Sequence, residues 1–523
     1  MSHPNKRALC LLMLAVLLGL SARVPGVFWG WNFPFGWYGH HVDEYTHLVN
    51  AETMINPTLP PRWQPHPYPK GLAAHVAVPM VATRILTGAA YDPLPSPKAI
   101  MVWGRVVSVA YGAATIAVLL FIARLLFRDP RIPVVSAFIL ALGGLHVTQG
   151  HFFVSDVPSM FWFMLGQYLL FLELKTNVDR SSLFLTLASL CFGISFGLKL
   201  AVFALPSLAI VCLVRPPRPF RVMQTSVFFL FGIVAVNFSF FTPFDLFKTV
   251  ARGVGDPYQF SWLASSLLYA IELPSIVSFP VLILSSMGTV FLSKRYLAAQ
   301  PTERFVAISL VVTAPLLINV LFILFKLDHF PRHLVPLIPW MSIAAAWSLV
   351  RIGDVVHRRG FQPAILVYAP FFLYLAAFVY DGERVFIQEP RNEAARWISR
   401  NVPRNEELWW QGHEWIEGYN HVGFPEMGRP SVVVIEMHHA NHYLSGMWFK
   451  NDFPRDYRRI FDSSSQERVD ALQSLFMGTS DYEEKARFGE AYVMPDYLFS
   501  DSLIGNRSRN YVAEIVIFRK KGG

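Results

Sequence analysis

The feature that most constrains this chain is a succession of long apolar segments. About eleven of them are long enough to cross roughly 30 Å of hydrocarbon as helices. Of its 523 residues, 53% are hydrophobic and only 15% are charged, a composition outside the range of ordinary soluble domains. The sequence therefore predicts an α-helical polytopic membrane protein. The predicted crossings lie near residues 8–30, 99–127, 132–150, 157–174, 182–198, 200–214, 222–241, 270–292, 304–325, 334–351 and 362–380.

Basic residues predict how these crossings are oriented. Lys and Arg collect on alternate loops, which the positive-inside bias assigns to the cytoplasm together with the N-terminus. The net charge of +9 is spread over these short loops instead of forming one patch, so the sequence gives no support for a nucleic-acid partner. With an odd number of crossings, the region after the last one is predicted to be extracytoplasmic.

Two domains are expected. Residues 1–382 form a transmembrane domain whose first outer loop, 31–97, is long and polar, and residues 383–523 form a small extracytoplasmic α/β domain. Within the outer loop, residues 71–86 are predicted to be a helix at the membrane interface, because that apolar stretch contains His, Pro and Arg. The C-terminal domain is predicted to contain a helix at 392–400 and strands at 407–411, 431–435 and 513–518.

An acidic pair flanked by histidines follows the first crossing. Asp43 and Glu44 are adjacent, with His41 two residues before Asp43. Like charges raise the pKa of at least one carboxyl group, which suits a general base, and the neighbouring histidine could help to hold a divalent cation. The alternative is an ordinary solvated loop.

A second acidic residue, Asp156, lies in the sequence Ser155-Asp-Val-Pro158 at the same predicted face of the membrane. Its simplest role is to cap the following helix, with Pro158 in the first turn. A capping carboxylate can also bind a cation, so the two interpretations are compatible. Asp156 is thus a candidate binding residue and, with His41, a candidate metal ligand.

Few basic residues lie on the predicted outer side of the membrane. A cation at a membrane boundary is costly unless it is paired, so these residues could neutralise a bound phosphodiester. The alternative is that each extends towards lipid headgroups or pairs with a nearby acid. The candidates are Lys70, Arg105, Lys199, Arg332 and His333.

The order of these motifs resembles a known family, the integral-membrane glycosyltransferases of the C-type fold, in the group of protein O-mannosyltransferases and aminoarabinose transferases. The resemblance extends over residues 1 to about 400. It rests on His41-Val-Asp-Glu44, Tyr68-Pro69, Gly104-Arg-Val-Val-Ser108, Ser155-Asp-Val-Pro158, Gly197-Leu-Lys199, Arg332-His-Leu-Val-Pro-Leu-Ile-Pro339 and Asn392-Glu-Ala-Ala-Arg-Trp-Ile398. The chain departs from the eukaryotic protein mannosyltransferases in lacking their long luminal β-trefoil-type insertion, which counts against a protein as acceptor. The acceptor classes considered are a lipid, a glycan and a protein.

The resemblance implies an inverting transfer of sugar from a dolichyl- or undecaprenyl-phosphate carrier to an acceptor hydroxyl. Asp43 would be the general base, and Glu44 and Asp156 would orient the acceptor or a cation. The basic candidates would hold the donor phosphate. The implied location is a bacterial cytoplasmic membrane, with the active site on its outer side.

Two other functions fit parts of the sequence. A transporter or flippase of a lipid-linked sugar would share the helices and the lipid ligand, but transporters commonly have repeated halves and acidic sites near the bilayer midplane. A membrane-anchored binding protein would place its activity in the C-terminal domain, where the sequence has no recognisable catalytic cluster.

Overall fold

The computed structural model is mostly helical. It describes residues 6–29, 42–55, 71–87, 96–175, 181–199, 208, 219–237, 262–298, 317, 331–359, 365–410, 419–421, 430–436, 466–489, 493–496 and 514–522. The helices are α1 Lys6–Val27, α2 Val42–Ile55, α3 Gly71–Thr87, α4 Pro97–Leu126, α5 Arg131–Ala141, α6 Gly144–Gln149, α7 Asp156–Lys175, α8 Ser181–Lys199, α9 Pro219–Asn237, α10 Trp262–Val277, α11 Phe279–Ala298, α12 Ile338–Arg358, α13 Ile365–Ile387, α14 Pro390–Asn401 and α15 Gln466–Phe476. A 3₁₀ helix, Pro331–Leu337, leads into α12.

The predicted fold class is confirmed, because the described part of the chain is an α-helical polytopic membrane protein with a small C-terminal sheet. Five described segments are helical and apolar enough to span a membrane, and four shorter apolar helices accompany them. The five are Leu9–Val27, Pro97–Leu126, Asp156–Lys175, Pro219–Val236 and Arg332–Arg358. Most of the predicted crossings at 200–214 and 304–325 lies outside the described residues.

Two of the predicted crossings are interrupted. The segment 132–150 divides into α5 and α6 at Leu142 and Gly143, and Gly144 lies so close to α10 that a Cβ there would be 2.5 Å from the carbonyl oxygen of Ile276. The segment 270–292 divides into α10 and α11 at Ser278, whose φ is +76°. Hydrophobicity alone does not reveal either break, since both halves of each segment are apolar.

The described membrane helices pack around two apolar clusters. The smaller joins α2, α3, α8 and α9 to the start of α4. The larger is the main apolar core. Side chains from α1, α4, α5, α7, α12 and α13 contribute to it, together with α6 and the end of α10. Helices α8 and α9 approach each other closely, because Gly193 faces the backbone of Phe229 and Gly232 faces that of Leu190. Such contacts between small residues let helix backbones meet where no hydrophobic effect drives them together.

A mixed five-stranded sheet forms the C-terminal domain. Its strands are β1 Glu407–Trp410, β2 Asn420–His421, β3 Val432–Glu436, β4 Tyr482–Gly489 and β5 Glu514–Lys520, in the order β2-β1-β3-β5-β4. Strand β1 is parallel to β2 and β3, whereas β5 is antiparallel to β3 and β4. Helix α14 covers one face and α15 the other. The predicted helix and three predicted strands are present, and β2, β4 and α15 were not predicted.

The C-terminal domain is joined to the membrane helices by buried carboxylates. Asp496 accepts hydrogen bonds from the backbone N–H of Phe279, at 2.6 Å, and from the hydroxyl of Tyr374, at 2.5 Å. Asp381 accepts from the backbone N–H groups of Val493 and Met494, both at 2.9 Å. Helix α13 itself continues past residue 382, the predicted domain boundary, and ends at Ile387.

Candidate functional site

The acidic pair lies at the start of a helix. Helix α2 begins at Val42, so Asp43 and Glu44 occupy its first turn. The positive end of the helix dipole stabilises carboxylates at this position. The Glu44 side chain is fully buried, which excludes the solvated loop for that residue. The backbone of Asp43 is helical, and its side chain lies outside the described residues.

Glu44 and Arg105 form a buried two-pronged ion pair, which we call the Glu44–Arg105 clamp. Nε and Nη2 of Arg105 donate to the two carboxylate oxygens of Glu44 at 2.7 and 2.8 Å. Oε1 of Glu44 also accepts the backbone N–H of Phe153 at 2.8 Å. One carboxylate therefore connects α2 to α4 and to the segment before α7. A bidentate pair fixes direction as well as distance, so it can hold the first turn of α2 in one orientation.

The remaining N–H groups of Arg105 bind the end of α1. Nη1 donates to the carbonyl oxygens of Val27 at 3.2 Å and Trp29 at 2.5 Å. Arg105 is only 2% exposed. The prediction that Arg105 binds a substrate phosphate remains a prediction, but in this structure its guanidinium is occupied by Glu44 and by backbone carbonyls.

A glycine allows the clamp to close. The ring of Phe153 lies directly against Gly104, where a Cβ would be 2.2 Å from the ring. A side chain at residue 104 would push Phe153 away, and with it the N–H that Glu44 accepts. The Gly104-Arg105 sequence is thus explained by the geometry of both residues.

Asp156 pairs with Lys199. The carboxylate of Asp156, at the first residue of α7, accepts a hydrogen bond from the ammonium of Lys199, at the last residue of α8. Asp156 is buried, whereas the Lys199 side chain is 24% exposed. The predicted pairing of a boundary cation with a nearby acid is thus present, and part of the Lys199 side chain is exposed.

Arg332 and His333 lie on the 3₁₀ helix, both half-buried. Nδ1 of His333 is 3.3 Å from the hydroxyl of Tyr269 on α10. This 3₁₀ helix packs against α6 and α7. Two further candidates, Lys70 and His41, lie outside the described residues.

A metal site remains a prediction. Within the described ranges, no three His, Cys, Asp or Glu side chains are grouped so that they could hold an ion. The proposed ligand set of His41 and Asp156 includes a residue outside those ranges. Asp156 is engaged with Lys199, so a cation there would compete with the ammonium group.

Sequence reasoning missed a buried polar cluster beneath the site. Arg23 is completely buried and donates to Nδ1 of His146 at 2.7 Å. Nδ1 of His151 is 3.3 Å from Glu383, which also accepts the hydroxyl of Thr148 at 3.1 Å. The available signal was an ionisable residue inside a predicted crossing, which usually marks a paired or functional group.

A family of known enzymes matches part of the chain. The sequence profile of the family described as Dolichyl-phosphate-mannose-protein mannosyltransferase matches residues 95–254. This stretch contains Arg105, Asp156 and Lys199, whereas the acidic pair precedes it. No curated protein sequence is significantly similar to the chain.

Solved membrane enzymes share the fold. ArnT from Cupriavidus metallidurans bound to undecaprenyl phosphate is 12% identical, with a TM-score of 0.51 over 98% of this chain and 98% of that chain. The apo state of ArnT is 11% identical, with a TM-score of 0.49 over 98% and 97% of the two chains. Archaeal oligosaccharyltransferase AglB from Archaeoglobus fulgidus, in complex with an inhibitory peptide and a dolichol-phosphate, is 11% identical, with a TM-score of 0.48 over 99% and 89%.

The likeness to lipid-bound ArnT establishes the fold, and the family profile agrees with it. The resemblance predicted from the order of the motifs is therefore confirmed. The chain is a polytopic membrane protein with the C-type glycosyltransferase fold, and it is similar to the protein O-mannosyltransferases and aminoarabinose transferases.

Proposed function

We propose that this protein transfers a glycosyl group from a polyprenyl-phosphate sugar to an acceptor hydroxyl on the extracytoplasmic face of a bacterial cytoplasmic membrane. The profile match to a mannosyltransferase family and the undecaprenyl phosphate bound to ArnT support the donor class. The observation that carries the proposal is the Glu44–Arg105 clamp, since it fixes the helix turn that bears Asp43 beside the segment that leads to Asp156.

Asp43 is the proposed general base. It takes the proton from the acceptor hydroxyl as the oxygen attacks the anomeric carbon, and the bond from that carbon to the phosphate oxygen breaks. Polyprenyl phosphate leaves with the bonding electron pair, and Asp43 later releases its proton to water. A single displacement inverts the anomeric centre and needs no covalent intermediate with the enzyme.

Lys199 is the proposed ligand of the donor phosphate that the structure supports best. Its side chain is partly exposed, and its ammonium donates a hydrogen bond to Asp156. A phosphate oxygen that approaches this ammonium would make a charge-assisted hydrogen bond at the membrane boundary. Lys70, Arg332 and His333 remain proposed phosphate ligands. For Arg105 and Glu44 we propose a positioning role, because each already binds the other.

The experiment compares two isosteric substitutions in purified enzyme supplied with a polyprenyl-phosphate sugar. Asp43→Asn should lower the transfer rate by about 10²–10⁴, the usual contribution of a general base, with donor binding and melting temperature unchanged. Glu44→Gln should lower the rate and the melting temperature together, because it leaves the buried Arg105 without a charged partner. Glu52→Gln, on the same helix, is the matched control.

Full activity in Asp43→Asn would remove Asp43 as the base. Full activity in both variants, or no transfer by the unmodified protein with any polyprenyl-phosphate sugar, would favour transport of the lipid-linked sugar over its transfer.

A further inference from the structure

One tryptophan connects the C-terminal domain with the Glu44–Arg105 clamp. Trp29 is 3% exposed and follows the end of α1. The guanidinium carbon of Arg105 lies 5.9 Å from the centre of its ring, and that of Arg391 lies 5.0 Å from it. Arg391 belongs to α14, the first helix of the C-terminal domain. Two cations, one from each domain, are therefore attracted to the same aromatic ring.

The backbone of Trp29 adds a second link to the clamp. Its carbonyl oxygen accepts the 2.5 Å hydrogen bond from Nη1 of Arg105. A shift of Trp29 would therefore move both the ring and the carbonyl group that hold the Arg105 guanidinium. Because Arg105 holds Glu44 through two hydrogen bonds, the displacement would reach the first turn of α2.

An aromatic cluster carries the same connection to the segment before α7. The Trp29 ring meets Phe386 edge-on at 4.9 Å and lies 5.6 Å from Phe152. The ring of His151 is 4.3 Å from Phe386 and 4.7 Å from Phe152. The cluster thus joins the last turn of α13 to residues 151 and 152, next to the Phe153 N–H that Glu44 accepts.

The end of α13 makes polar contacts both with the C-terminal domain and with residues that precede α7. Asp381 holds residues 493 and 494 of the C-terminal domain, and two residues later Glu383 contacts His151 and Thr148. Side chains at the end of α13 therefore bind both the C-terminal domain and residues 148 and 151, which precede α7. Packed cores move in steps and do not deform gradually, so loss of one of these contacts should displace its neighbours.

We infer that the C-terminal domain positions the proposed transferase site. Arg391 is the positioning residue in the domain, and Trp29, after α1, is the positioning residue that connects it to Arg105. This inference rests on the proposed function. Arg391 holds Trp29, Trp29 holds Arg105, and Arg105 with Glu44 holds the helix turn that carries the base. No atom of the domain needs to touch the substrate. Because a displaced base reduces the fraction of productive complexes, these contacts govern kcat and leave affinity for the donor lipid unchanged.

The test uses the full-length enzyme and substitutions that keep or remove the aromatic ring. Trp29→Leu should lower kcat for sugar transfer about tenfold, equivalent to about 1.4 kcal/mol in the barrier, without changing the Kd for polyprenyl phosphate. Trp29→Phe retains an aromatic face and should recover most of kcat. Both variants leave the ion pair between Arg391 and Glu389 intact, at 3.0 Å, so this contact does not confuse the result.

Arg391 is tested against an arginine on the same helix. Arg391→Gln should lower kcat like Trp29→Leu, and Arg391→Lys should restore part of it because a cation over the ring is kept. Arg400→Gln, exposed on α14, is the matched control and should retain full activity. Hydrogen exchange should become faster across residues 150–156 in Trp29→Leu and Arg391→Gln, but not in the control.

The outcomes separate the two proposals. Unchanged kcat and unchanged hydrogen exchange in both Trp29→Leu and Arg391→Gln would overturn the positioning role. If the unmodified protein transfers no sugar, the proposed function fails, whereas hydrogen exchange still decides whether the domain orders residues 150–156. A rise in the Kd for polyprenyl phosphate with constant kcat would also overturn the inference, because it would place the effect on binding.

Discussion

At the scale of the residue, the candidate site contains ion pairs between residues that are far apart in the sequence. Glu44 and Arg105 are 61 positions apart, and Asp156 and Lys199 are 43 apart. The sequence identified all four residues as candidates. Glu44 is one of two adjacent carboxylates, Asp156 is a second acid on the same predicted face, and a cation such as Arg105 or Lys199 is costly at a membrane boundary unless it is paired. The sequence could not identify the pairs, because the pairing depends on how the helices pack. The substrate contacts predicted for Arg105 and Glu44 remain predictions, and the structure adds that the two side chains bind each other.

The clamp predicts an unusual order of stabilities. Glu44→Leu leaves the buried Arg105 charge unpaired and should destabilise the protein by about 3–5 kcal/mol. The double variant Glu44→Leu/Arg105→Met removes both charges and should be more stable than that single variant, although the carbonyl oxygens of Val27 and Trp29 lose a donor. Melting temperatures in detergent would check this order. A double variant less stable than Glu44→Leu would contradict it.

Lys199 is expected to matter for binding of the lipid carrier. Lys199→Gln removes a charge-assisted hydrogen bond to phosphate, worth about 1.5–3 kcal/mol, so affinity for polyprenyl phosphate should fall about ten- to a hundredfold. Titration of the purified protein with polyprenyl phosphate measures it. Lys98→Gln, a half-buried lysine at the start of α4, serves as the control. Equal affinities in all three proteins would remove Lys199 from the donor site.

At the scale of the element, the ends of helices were predicted well where the length of an apolar segment determines them. They were predicted poorly where a residue distant in the sequence determines them. The helices α4, α7 and α8 begin and end within a few residues of their predicted bounds, because length and hydrophobicity determine a crossing. The break between α10 and α11 has a different cause. Asp496, 217 residues further along, accepts the N–H of Phe279 at the start of α11. No local pattern contains that information.

Ser278 is expected to be a strained position. Its φ of +76° lies in the left-handed region, which costs an ordinary residue about 1–2 kcal/mol and glycine almost nothing. Ser278→Gly should therefore raise the free energy of unfolding by roughly 1 kcal/mol. The same change at Ser275, in the last turn of α10, should lower it by about 1 kcal/mol, because glycine loses more backbone entropy and the hydrogen bond from the Ser275 hydroxyl to the Glu272 carbonyl is lost. Thermal unfolding of the two variants in detergent compares the signs, and a stabilised Ser275→Gly would contradict this explanation.

At the scale of the whole molecule, the two ends of the helix bundle differ in character. At one end, Arg131 pairs with Asp354 at 2.7 Å, so the start of α5 meets the end of α12, and both were predicted to lie on the cytoplasmic side. Hydrogen bonds from Arg131 also hold the pKa of the Asp129 carboxyl below its usual range. The other end carries the Glu44–Arg105 clamp, the pair of Asp156 and Lys199, and the contacts with the C-terminal domain. The sequence predicted this division from loop charges, but it could not predict how the domain attaches to the helices.

Labelling from one side of the membrane tests that division. In a chain with its three cysteines replaced, a cysteine at Glu483, exposed on β4, should react with an impermeant thiol reagent from the extracytoplasmic side. A cysteine at Arg128, exposed between α4 and α5, should react only after the membrane is opened. The reverse pattern would place the site on the cytoplasmic side and exclude the proposed orientation.

The contacts between α13 and the segment before α7 also bear on how the protein is made. Thr148 and Glu383 are 235 residues apart in the sequence, and Phe279 and Asp496 are 217 residues apart. During synthesis, the early helices therefore enter the membrane long before the residues that tie them together leave the ribosome. The buried polar groups of the early helices must meanwhile remain hydrated or bind other partners, such as the machinery that inserts them. A nascent chain of this kind would complete the proposed site only in the final stage of translation, so incomplete products should lack the proposed transferase activity.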